Sequence, residues 1–108
     1  MPVYNKLVRD RIPEIIEKSD KILTSRILTD YEYVIEINKQ MHEELAEYEA
    51  ASTNEDAIEE LADLLELIHA AAALHDTSFE DLEKVREDKA KKRGGFDERI
   101  FLIEVEDD

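Results

Sequence analysis

Apolar positions recur every three or four residues over long stretches of this chain, and two short polar clusters divide them. Across 31–51 the apolar set is Tyr33, Val34, Ile37, Met41, Leu45 and Tyr48, which shares one helical face. Asp30 can cap that helix, with Thr29 as the competing cap. The sequence STNED (52–56) reads as a turn and a capped start, at Thr53 or Asn54, of a second helix reaching about His75. DTSFEDL (76–82) repeats that grammar, with Ser78 as N-cap and Asp81 where a capping-box acid stands. A third long helix then runs to about Arg93, where Gly94-Gly95 stops it. Earlier, Pro13 suits a first turn, and Ile12, Ile15 and Ile16 share a face, so 12–19 is expected to form a short helix. Two segments lack helical phase. These are KILTSRILTD (21–30) and the tail ERIFLIEVE (98–106), which alternates imperfectly like a strand. The expected fold is one all-α domain over 1–108, a helical bundle of one short and three long helices. In it, 21–28 could pair with 98–105 as a minor β pair.

The helix at 54–75 changes the picture most. Ala57, Ile58, Leu61, Leu64, Leu65, Ile68 and Ala70–Ala73 cover most of its circumference. A helix apolar nearly all round is buried nearly all round. The other helices of one chain cannot easily enclose it, so a homo-oligomer, dimer or tetramer, is expected. The remaining narrow stripe is Asp56, Glu59, Glu60, Asp63 and Glu66, acidic and flanked by residues that favour burial.

Composition narrows the function classes. Two prolines and two glycines in 108 residues favour long helices. Cysteine is absent, which excludes disulfides, a thiol nucleophile and thiolate metal sites. Asp and Glu number 29 against 14 Lys and Arg, a formal net charge of −15. Nucleic acid and anionic membrane would be repelled, so neither is an expected partner. A small anionic ligand is still admissible, because a bound cation inverts the local sign. The opening MPVYNKLVRDRIPEI lacks the apolar core of a signal peptide, and no apolar run approaches spanning length. A cytoplasmic protein is the expectation.

Two acidic stretches carry the candidate chemistry: HEELAEYE (42–49) and EELADLLE (59–66). Glu44 and Glu47 are i, i+3 on one helix, and Glu60 and Asp63 are i, i+3 on the next. If the short connection at 52–55 packs these helices antiparallel, the two pairs can face each other. One ionised pair 4 Å apart costs about 4 kcal/mol at an effective dielectric near 20. Such a cluster persists if carboxylates take up protons, if water reaches them, or if a cation neutralises them. Oxygen-only ligands select a hard cation, Mg²⁺ or Mn²⁺. No histidine stands three residues after Glu44, Glu47, Glu60 or Asp63, which counts against a carboxylate-bridged di-iron site built on Glu-x-x-His there. The competing reading is an ordinary solvated acidic face.

The pattern EELAE (43–47), twelve residues between Glu47 and Glu60, and then Glu60-x-x-Asp63 resembles the EExxE…ExxD signature of the all-α NTP pyrophosphatases, the MazG-like superfamily. YNKLVRDRIPEII (4–16) and KKRGGFDERIFL (91–102) resemble its phosphoribosyl-ATP pyrophosphohydrolase-like, house-cleaning branch. The resemblance implies metal ligands at Glu44, Glu47, Glu60 and Asp63, holding Mg²⁺ or Mn²⁺ in its place. It also implies hydrolysis of a nucleoside triphosphate to the monophosphate and pyrophosphate. Glu43 and Glu59 match the leading acids of each motif, at the cluster's edge, as supports for the ligands or as a base for water.

Phosphates need donors as well as a cation. Between Ile27 and Glu83 the only Lys or Arg is Lys39; the rest crowd both ends. Lys6 and Arg9 are the strongest candidates for phosphate contacts, followed by Lys92 and Arg93. The competing reading of these residues is ordinary ion pairing. His42, His69 and His75 stand isolated and read as packed or surface residues. Two other functions compete with NTP pyrophosphohydrolysis: a non-catalytic helical oligomer binding nucleotide or metal, and phosphoribosyl-ATP pyrophosphohydrolysis.

Overall fold

Local capping chemistry sets where each helix begins. In a computed structural model describing residues 2–107, the helices are α1 (Ile12–Lys18), α2 (Asp30–Ala50), α3 (Asn54–Leu74) and α4 (Phe79–Arg93). Pro13 stands in the first turn of α1. Thr29, not Asp30, caps α2. Its hydroxyl accepts from the Glu32 N–H at 3.2 Å, and the Glu32 carboxylate accepts from the Thr29 N–H at 3.0 Å. Glu32 also receives both ends of the Arg26 guanidinium, at 3.0 and 2.7 Å. The Arg26 hydrogen bond first, and the Thr29 backbone bond second, hold the Glu32 carboxyl down to about 2. Thr29→Ala removes one half of this reciprocal cap. It should lower stability by about 1 kcal/mol in chemical denaturation, with Thr29→Ser nearly neutral.

Thr53 caps α3 through the Asp56 N–H at 3.1 Å, and Ser78 caps α4 through the Asp81 N–H at 3.1 Å. The Asp81 carboxylate lies 3.8 Å from Lys84. α4 ends at Gly94, whose φ of 83° is left-handed and suits a residue without Cβ.

The three-residue link 51–53 folds α3 back along α2, and this hairpin carries most of the packing between helices. α4 touches α3, where the His69 ring stacks on Phe79 at 3.6 Å, and does not touch α2. The segment before α1 is anchored across α2, with buried Gln40 donating to the Leu7 carbonyl at 2.7 Å.

Little of the apolar surface is covered. Among the described residues Ile37, 1% exposed, and Ala72 are the only buried apolar side chains. α3 itself leaves Ile58, Leu61 and Leu65 open. The chain exposes 10273 Å², where a folded monomer of 12.6 kDa exposes roughly 6,200 Å². Its radius of gyration is 18.7 Å, against about 13 Å for a compact domain of this length.

The expected β pair does not form. Among the described residues neither 21–28 nor 98–105 is a strand. Ile22, Ile27, Ile100 and Leu102 are all largely exposed. With no apolar layer to cover one face, an isolated two-stranded ribbon is marginal in water. No helix among the described residues is long and apolar enough to cross a membrane.

Candidate metal centre

Folding α3 back along α2 brings Glu44 and Glu47 opposite Glu60. One carboxylate oxygen from each of the three lies within 4.8 Å of the others. Opposite ligands of an octahedral Mg²⁺ stand about 4.2 Å apart, so small side-chain rotations would close the group on a cation. Glu44 and Glu60 are half-buried and Glu47 is exposed.

The interior of the cluster is under-satisfied. Glu44 Oε2 and Glu60 Oε2 are shielded from solvent and have no hydrogen-bond partner. Ionised carboxylates only accept, so the two oxygens cannot satisfy each other without a shared proton or a cation between them. Hydrogen bonding to Glu44, then to Glu47, pushes the Glu60 carboxyl up to about 7. Glu44 is also raised, by burial first and then by the Glu47 and Asp63 charges. An all-oxygen, anionic donor set with two orphaned atoms fits a hard divalent ion.

A pH dependence follows for the metal-free protein. A carboxyl whose folded value lies above its unfolded one contributes stability that is complete below the unfolded value and lost as pH rises through the folded value. For Glu60 that window runs from 4.5 to about 7. The melting temperature in EDTA should therefore fall across it. That fall should shrink in Glu60→Gln.

Asp63, the fourth expected ligand, is engaged elsewhere. Its Oδ1 accepts from Arg9 Nη2 at 2.6 Å. The two side chains are 57% and 41% exposed, so the pair adds at most about 1 kcal/mol. Asp63 still stands close enough for its charge to act on Glu44. Arg9 is thus a cation of the chain's own at the rim of the cluster, 54 positions away in sequence from its partner.

Gln40 delivers that arginine. It is polar within the apolar stripe of α2, three residues after Ile37 and four before Glu44. Sequence reasoning passed over it, although a buried amide in such a stripe signals a tertiary hydrogen bond. Gln40→Leu would strand the Leu7 carbonyl. It should cost about 1–3 kcal/mol and speed tryptic cleavage at Lys6 and Arg9, read by mass spectrometry.

The other expected residues are less convergent. Glu43 and Glu59 are exposed neighbours of the cluster and lie outside its metal-competent group. Lys6 is exposed on the segment carrying Arg9 and makes no ion pair among the described residues. Lys92 and Arg93 occupy the last turn of α4, which does not reach α2. A shallow depression of about 160 Å³, lined by Met41, His42, Leu45 and Leu64, lies along the α2–α3 seam.

A 54-residue stretch of the chain is 44% identical to an uncharacterized protein of Mycolicibacterium smegmatis. That match covers 50% of this chain and 55% of the relative, so the chain spans about half the length of the curated protein it matches. No family model matches the chain, and no solved structure matches it.

Proposed function

We propose that this chain is a nucleoside triphosphate pyrophosphohydrolase using Mg²⁺, with Mn²⁺ able to replace it, that releases the monophosphate and pyrophosphate. The observation that carries this reading is the Glu44–Glu47–Glu60 cluster with its two unpartnered oxygens. The spaced acidic motifs of 43–47 and 59–63 support it through their resemblance to all-α NTP pyrophosphatases.

In this reading Glu44, Glu47 and Glu60 hold the cation, joined by Asp63 once Arg9 lets it go. A hard divalent ion there supplies charge neutralisation for the phosphates and acidifies water for attack on phosphorus. Arg9, freed from Asp63, donates to phosphate oxygens on which charge grows during reaction, and Lys6 on the same segment assists. Glu43 and Glu59, exposed beside the ligands, are placed to take the proton from the attacking water. The Met41–Leu45–Leu64 depression offers an apolar surface for a nucleobase.

The uncovered surface supports a homo-oligomer as the working form, with α3 at the shared core. A cytoplasmic setting and a role in clearing modified nucleotides, rather than phosphoribosyl-ATP, complete the proposal.

The product split tests it. A panel of standard and modified nucleoside triphosphates, with phosphoribosyl-ATP, is incubated with Mg²⁺ or Mn²⁺. Monophosphate plus pyrophosphate is expected from at least one. Diphosphate plus orthophosphate would refute the reading. A metal-induced rise in melting temperature without any hydrolysis would favour the non-catalytic binding module instead.

A further inference from the structure

We propose that residues 2–10 form a strap whose Arg9 end is displaced by the divalent cation. In the metal-free chain Arg9 holds Asp63; the cation draws Asp63 toward the other carboxylates and releases the guanidinium for phosphate. The strap's release rests on the metal centre proposed above and does not need hydrolysis.

Two tethers of unequal strength hold the strap. Among the described residues, only two hydrogen bonds join 2–10 to the α2–α3 hairpin: Gln40 Nε2 donates to the Leu7 carbonyl at 2.7 Å, and Arg9 Nη2 to Asp63 Oδ1 at 2.6 Å. Gln40 is 6% exposed, so breaking its bond leaves a buried amide unpaired. Arg9 and Asp63 are both well solvated, and water readily replaces their bond. Such an exposed pair favours its closed geometry by no more than about fivefold. Val3 and Tyr4, largely exposed, add no grip. Gln40 is therefore the pivot and Arg9 the catch.

Asp63 is the contested group. It stands three residues after Glu60 on α3, and its charge reaches Glu44. Turned toward Arg9, it nevertheless lies outside the set of oxygens that Glu44, Glu47 and Glu60 bring within 4.8 Å of one another. A divalent ion carries twice the charge of the guanidinium and repels it, so the weaker tether gives way.

Release keeps Arg9 at the site. Two residues separate it from Leu7, at most about 7 Å of chain, and the pivot confines the freed guanidinium to the rim of the cluster. Phosphates brought by the cation meet it there. Linkage makes the effect reciprocal. A phosphate that draws Arg9 away leaves Asp63 to the cation, so metal and nucleotide each tighten the binding of the other.

Trypsin reads the catch, because cleavage after Arg9 requires a free guanidinium. Lys6 makes no ion pair among the described residues and lies beside the pivot. The ratio of Arg9 to Lys6 cleavage in the full chain, followed by mass spectrometry, cancels any global stabilisation by metal. Saturating Mg²⁺ should raise that ratio about fivefold over Na⁺ of equal ionic strength, the whole closed preference of an exposed pair. Asp63→Asn should show the raised ratio already in EDTA and gain nothing from Mg²⁺. Glu60→Gln should keep the low ratio even with Mg²⁺. An unchanged wild-type ratio, a low ratio in Asp63→Asn, or a rise that survives in Glu60→Gln would each overturn the strap. A raised ratio without pyrophosphate release would remove the hydrolase and leave the strap. Mg²⁺-dependent release at an unchanged ratio would do the reverse.

Discussion

Glu60→Gln should abolish the rise in melting temperature that Mg²⁺ confers and cut pyrophosphate release by more than about 100-fold, beyond what loss of an outer-sphere support costs. At a hundred times its dissociation constant, a ligand binding only the folded state adds about 2.7 kcal/mol. In a domain of this size each kcal/mol moves the midpoint by about 4–8 °C. The wild-type shift should therefore exceed about 10 °C. The amide of Gln keeps the shape of Glu60 but carries no negative charge and offers one weaker oxygen. It also cannot repel Glu44 and Glu47. In EDTA at pH 8 the variant should consequently melt above wild type, and the difference should close as pH falls below 4.5, where the carboxyl becomes neutral in both states. A residue on a merely solvated acidic face would show neither the lost metal response nor the inverted order in chelator. Differential scanning fluorimetry at both pH values, with and without Mg²⁺, decides it.

Arg9→Ala tests the other half of the site and carries the second large effect. Its bond to Asp63 is short, 2.6 Å, but both partners are solvated, so removing it should change metal-free stability by less than about 1 kcal/mol. The rate should fall far more, by about 10²–10³, if the guanidinium meets developing charge on phosphate. Metal binding should move the opposite way: an unmasked Asp63 adds a free anion to the cluster, so Mg²⁺ binds tighter in titration calorimetry. Arg9→Lys keeps the charge and loses the fork, and should recover only part of the rate. Were the pair simply structural, rate and metal affinity would both stay near wild type.

The helices and their caps were legible because they are local. A 3.6-residue period and Thr53 or Ser78 three residues before a first-turn acid need no information from the rest of the chain. The choice between Thr29 and Asp30 turned on Glu32, whose carboxylate closes the cap from inside the helix. The facing of Glu44 and Glu47 toward Glu60 was also legible, since a three-residue link leaves α3 little alternative to folding back on α2. Asp63 was grouped with them by its spacing and by the motif resemblance, and neither can show that an arginine 54 positions earlier occupies it. The strand reading rested on imperfect alternation in the tail and on the lack of helical phase in 21–30. A strand, unlike a helix, has no hydrogen bonds of its own to fall back on, so a pattern without a covering layer does not form one.

With Ile37 and Ala72 as the only buried apolar side chains among the described residues, the chain on its own has almost no interior to defend its folded state. If the proposed homo-oligomer supplies the missing cover, foldedness depends on the chain's own concentration. Turnover per molecule should then decline on dilution instead of holding constant. Gene dosage would set activity more steeply than in proportion to copy number.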